Sequence, residues 1–139
     1  MMRIFLKTTS LLALLLSFSS VAEVAVIVNS NNADNLDAKT IKRIYLGKSK
    51  SFPSGTKVQM LSLPDSSSTT SDFREKALGK SNSQYKSYWS KLAFTGKGTP
   101  PKEMANDNAM VDAVKADPGA IGFVDSGSVT GDVKVVATF

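Results

Sequence analysis

Five consecutive apolar residues, Val24 to Val28 within the run EVAVIV, constrain the fold more than any other segment. A strand with one wet face alternates apolar and polar side chains, whereas an unbroken β-branched run must be covered on both faces. Such a strand belongs inside a sheet with helices packed above and below it. The expected fold class is therefore α/β: a single three-layer domain with a small mixed sheet flanked by helices.

The residues before this run read as an export signal. Arg3 and Lys7 stand near the start without an acid, Leu11 to Phe18 is apolar except for Ser17, and Ser20-Val21-Ala22 has the small residues of a cleavage site. Cleavage after Ala22 is expected, giving a signal peptide over 1–22 and one domain over 23–139, periplasmic or secreted. The apolar run is too short to cross a bilayer as a helix, which takes about 20 apolar residues. No transmembrane segment is expected after cleavage. Removing 22 of the 139 residues leaves 117, and losing Arg3 and Lys7 lowers the net charge from +5 to +3.

Beyond the first strand, Leu36-Asp37 suits a hydrophobic staple and N-cap for a helix with Ile41, Ile44 and Tyr45 on one face, closed by Gly47. Lys57 to Leu63 reads as a second strand, with Val58, Met60 and Ser62 on one side and Pro64 ending it. A hydroxyl-rich loop, Asp65 to Ser71, leads into a short helix expected over Asp72 to Leu78. Ser81 or Asn82 caps a further helix whose Tyr85, Tyr88, Trp89 and Leu92 recur at helical spacing, an apolar stripe suited to the core. Asn106 or Asp107 caps a helix bearing Met110, Ala113 and Val114. Ala120 to Val124 and Val133 to Ala137 are the last strands. The chain has no internal repeat and no linker.

The chain contains no Cys and no His. That excludes disulfides, Cys/His zinc sites, thiol redox chemistry and Ser-His or Cys-His nucleophiles. Asp65, Asp72 and Glu75 lie near the hydroxyl loop, but their spacing defines no acid/base pair. A non-enzymatic protein is expected, with no catalytic residue, no metal and no cofactor.

A loop of small residues entering a helix suits an oxyanion, because a helix N-terminus presents about four unpaired N–H groups and about half a positive charge. Ser66, Ser67, Ser68, Thr69 and Thr70 fit that description and are the candidate ligand-binding residues. A plain N-cap at Thr70 or Ser71 with a solvated loop before it accounts for the same residues equally well. A second feature is a run of six cations without an acid: Lys39, Lys42, Arg43, Lys48, Lys50 and Lys57. A solvated helix face explains most such runs. No nucleic-acid partner is expected, because the aromatic residues lie on the core stripe and away from these cations.

Four segments occur in an order that resembles the substrate-binding proteins of phosphate ABC transporters. They are Thr40 to Lys48, the hydroxyl loop after a strand, Phe94-Thr95-Gly96-Lys97-Gly98, and Pro118 to Val124. The resemblance spans about Val24 to Val124 and implies one lobe of a type 2 periplasmic binding protein, a shortened single-lobe relative. In that family two lobes close on a dehydrated phosphate, and a helix-start loop donates to its oxygens. Carried over by position, that loop is Ser67, Ser68 and Thr69, preceded by Asp65. The family's phosphate-pairing arginine falls at about Leu63, so a bidentate contact is missing. The resemblance implies phosphate or another small oxyanion as ligand, with an ABC permease as partner. The alternative is a lobe repurposed as a protein-protein interaction module of an envelope or secreted assembly.

Overall fold

The computed structural model describes residues 22–139, so the expected signal peptide lies outside the described residues apart from Ala22. Strand β1 (Val24–Asn29) is buried at all six positions. It lies between β4 (Ala120–Asp125) and β5 (Val133–Thr138), antiparallel to both. Strand β2 (Gln59–Ser62) runs parallel to β4 and to a two-residue edge strand, β3 (Lys102–Glu103). The sheet order is β3-β2-β4-β1-β5. A mixed sheet with helices around it is the expected class; the edge strand β3 was not foreseen.

Successive residues of a strand point to opposite faces, so β4 shows which helices lie where. Phe123 stacks on Phe73 of α2 (Ser68–Leu78), with ring centroids 4.1 Å apart and an interplanar angle of 14°. Tyr45, the last residue of α1 (Ala38–Tyr45), meets the same two rings edge-on. Each such aromatic pair adds about 1 kcal/mol beyond area burial. Its neighbour Gly122 faces the other way, onto Met110 of α4 (Asp107–Ala116). A Cβ on Gly122 would lie 2.4 Å from the Met110 sulfur, so only glycine lets α4 pack this closely. Helices α1 and α2 thus cover one face of β4 and α4 the other. That makes three layers.

Helix α3 (Asn82–Phe94) locks onto the end of α1. The Tyr85 hydroxyl and the Trp89 Nε1 both donate to the Tyr45 carbonyl, at 2.9 and 3.1 Å. Tyr45 in turn donates its hydroxyl to the Leu61 carbonyl at 2.8 Å and the Ile121 carbonyl at 3.2 Å, across β2 and β4. Burial pushes the phenols of Tyr45 and Tyr85 well above their ordinary range. The aromatic stripe is core, as its spacing indicates: Tyr85 and Trp89 are buried.

Asp37, Ser81 and Asn106 cap their helices through side-chain acceptors, and Ser81 forms a reciprocal box with Gln84. Two expectations need correction. β2 covers only Gln59 to Ser62 and is shorter than the expected Lys57 to Leu63; Leu61, Ser62 and the following Leu63 are buried, while Val58 and Met60 are half-buried. Helix α2 begins at Ser68, four residues before the expected Asp72, and Ser67 takes the N-cap position expected at Thr70 or Ser71. The reason is physical. The Thr70 hydroxyl donates to the Pro64 carbonyl at 2.8 Å and the Ser67 backbone N–H to the same carbonyl at 3.0 Å, which closes the turn early.

Candidate functional site

In an open α/β sheet, ligands sit outside the carboxyl ends of parallel strands. Here the chain leaving β2 and the short 3-10 turn after β4 (Ser126–Ser128) lie at that end, and the start of α4 joins them. Between them is a cleft of about 580 Å³. Ser66 and Ser67 line one wall, Asn106, Asp107 and Asn108 another, and Ser128 closes a side. Two helix N-termini therefore face one cleft.

The α2 terminus is open. Ser67 is the N-cap, yet its side chain makes no capping hydrogen bond. Its carbonyl accepts the Thr70 and Ser71 N–H groups at 3.1 and 3.3 Å. Among the described residues the N–H groups of Ser68 and Thr69 find no acceptor. No acid occupies the first turn, and the charge of the helix dipole is left uncompensated there. The α4 terminus carries its own cap and its own anion. Asn106 Oδ1 accepts the Ala109 N–H at 2.9 Å, and Asp107 places a carboxylate in the first turn. That carboxylate accepts the Ser128 hydroxyl at 2.6 Å and the Asp125 N–H at 3.3 Å.

Beneath the open terminus is a charged cluster. Arg74 is only 5% exposed, although it is a cation in the middle of α2. Its Nη1 donates to Asp65 Oδ1 at 2.8 Å and to Asn82 Oδ1 at 3.0 Å, and its guanidinium lies 4.6 Å from the centroid of the Tyr85 ring. Lys86 pairs with the other oxygen of Asp65 at 3.2 Å. Partial burial works against the charged form of Asp65, but the hydrogen bonds and charges of Arg74 and Lys86 outweigh it and hold the carboxyl below its ordinary range. Asp65 is thereby tied down at the base of the hydroxyl turn.

The five candidate residues divide accordingly. Ser66 and Ser67 line the cleft, while Ser68 and Thr69 form the first turn of α2. Thr70 is fully buried and spends its hydroxyl inside the turn. Leu63, at about the position where the resemblance places the family's arginine, is 2% exposed and belongs to the core. Asp72 and Glu75 follow further along α2 and neither lines the cleft. The α4 wall and Arg74 were not anticipated. Arg74 had a signal, since it sits four residues after Thr70 and four before Leu78, on the face that α2 buries.

The chain thus combines a mixed sheet with a cleft between two helix starts at the strand ends. A family model described as a PBP superfamily domain matches residues 21–137, and the chain belongs to that family. Among solved structures it is similar to an ABC-type phosphate transport receptor from Vibrio cholerae, at 21% identity and a TM-score of 0.65, over 83% of this chain and 45% of that one. It is likewise similar to a phosphate ABC transporter substrate-binding protein from Clostridium perfringens solved with bound phosphate, at 20% identity and a TM-score of 0.66, over 83% and 44%. The likeness is one of fold. The chain spans less than half the length of either relative. No curated protein matches it. No described helix is long and apolar enough to cross a membrane.

Proposed function

We propose that this chain is a non-enzymatic solute-binding lobe that recognises phosphate or a similar small oxyanion at the start of α2. The observation that carries the reading is Ser67, a cap-position serine whose hydroxyl makes no capping bond, beside two N–H groups without acceptors and on the rim of a cleft. Ser66, Ser67, Ser68 and Thr69 supply the donors, and Thr70 holds the turn's shape through Pro64. The phosphate-transport names of the structural relatives support the ligand class.

The strength of binding follows from the donor count. Micromolar affinity takes about 8 kcal/mol. A shielded hydrogen bond to a charged group gives about 2 kcal/mol, and an open one less. Three or four donors on one wall, with leucine in place of the arginine, hold phosphate at about millimolar Kd. The reading includes export by a signal peptide over 1–22, a periplasmic or secreted location, and phosphate uptake beside an ABC permease.

Leu63 favours a second reading, in which the lobe has given up its solute and serves as an interaction module of an envelope assembly. Calorimetry with phosphate, sulfate and a neutral solute separates the two. Heat with phosphate at about ten-millimolar concentration, reduced in Ser67→Ala, supports the first; no heat with either anion sinks it.

A further inference from the structure

A second concavity lies at the other end of β2. Met60 lines this groove and Leu63 lines the cleft, so about 10 Å along the chain separates their nearest lining residues. Its volume is about 690 Å³. Lys50, Lys57 and Lys97 come from three separate segments and converge on it, and no carboxylate is among its lining residues. None of the three ammonium groups forms an ion pair among the described residues. The groove also has apolar walls, with Met60, Trp89 and Pro100 among them. Phe94 lies between two lining residues, Ala93 and Gly96, and is 93% exposed.

Lys50, Lys57 and Lys97 give the groove a concentrated positive charge that favours an anionic occupant, and Phe94 adds exposed apolar surface next to lining residue Ala93 in the chain. The remaining cations of the run, Lys39, Lys42, Arg43 and Lys48, are exposed and do not line it, so the convergence is specific to Lys50, Lys57 and Lys97. We propose that this groove docks an acidic peptide segment of a protein partner that also carries an apolar side chain. The cations select negative charge; the apolar wall and Phe94 select a hydrophobic anchor, which an inorganic anion lacks. β3 pairs with β2 only at Leu61 and Ser62; beside Gln59 and Met60 the segment from Gly98 to Pro100 leads into β3 and forms part of the groove wall. The proposal does not rest on the anion reading, because the two sites have no lining residue in common.

The test titrates the protein with a labelled, end-capped peptide of repeated Asp-Asp-Phe units, read by anisotropy and by emission of Trp89, the sole tryptophan. Repeated Asp-Asp-Ser units and phosphatidylglycerol vesicles serve as controls. Binding at about 100 µM is expected at low salt, and about tenfold weaker binding in Lys50→Glu/Lys57→Glu/Lys97→Glu. Phe94→Ala, a fully exposed position, should weaken it severalfold, and phosphate-induced shifts at Ser67 to Thr69 should be unchanged in both variants. Equal binding of the two peptides, indifference to the charge reversal, or vesicle binding without peptide binding would overturn the proposal.

Discussion

The two helix starts that share the cleft are built from similar polar residues and differ in side-chain cap and in charge. At α4, Asn106 caps the Ala109 N–H and Asp107 places a carboxylate in the first turn, while the N–H groups of Asp107 and Asn108 find no acceptor among the described residues. At α2, Ser67 stands in the cap position without capping and the first turn has no acid, while the N–H groups of Ser68 and Thr69 likewise find no acceptor among the described residues. A helix start is an anion site only when the chain has not already filled it. Residue type alone does not reveal this, because Ser and Asn are both strong cap formers.

The comparison breaks first at Arg74. Arg74→Ala leaves Asp65 without its buried partner and removes the base of the α2 turn; a loss of about 2 kcal/mol in urea unfolding is expected, discounted for the half-exposed carboxylate. Amide shifts should spread through Asp65 to Thr70 and spare Asn106 to Asn108. Next comes the direct contrast of caps. Asn106→Ala should cost about 1 kcal/mol, whereas Ser67→Ala should change stability by less than about 0.5 kcal/mol while weakening phosphate binding. Equal losses in the two variants would mean that Ser67 caps in solution.

Acid sharpens the same contrast. The folded state holds the carboxyl of Asp65 below its ordinary value of 3.8, so its contribution to stability is present above that value and is lost as pH falls through the lower folded one. Unfolding midpoints measured from pH 6 downward should fall off more gently in Asp65→Asn. The smallest effect is at the α4 terminus. Asp107→Asn removes a negative charge from the cleft, and phosphate binding should tighten about threefold at low salt, the gain fading as salt is added.

How much of this was legible differs by element. The buried run Val24 to Val28 showed a strand covered on both faces, and the Tyr85, Trp89 spacing showed a core stripe, because both patterns are local. The start of α2 was misplaced by four residues because its boundary depends on Pro64, whose carbonyl collects the Ser67 N–H and the Thr70 hydroxyl. Propensity treats Ser68, Thr69 and Thr70 as loop formers, and tertiary closure overrides it. The hydroxyl turn stood out as a candidate site from composition alone. The facing wall, Asn106 to Asn108 with Ser128, did not, since it meets the turn only once β2 and β4 are parallel neighbours. The two glycines of the Pro118 to Val124 segment are explained only by contacts: a Cβ on Gly119 would lie 2.5 Å from the Lys57 carbonyl oxygen, and one on Gly122 would strike Met110.

The α2 terminus is open to an anion, whereas the α4 terminus holds its own cap and carboxylate. An amide-resolved NMR titration with phosphate, taken to about ten millimolar, tests this difference most directly. Saturable shifts at Ser66 to Thr69, with Asp107 and Asn108 unmoved, are the expected result. Unmoved amides at Ser66 to Thr69, or larger shifts at the start of α4 than at α2, would contradict it.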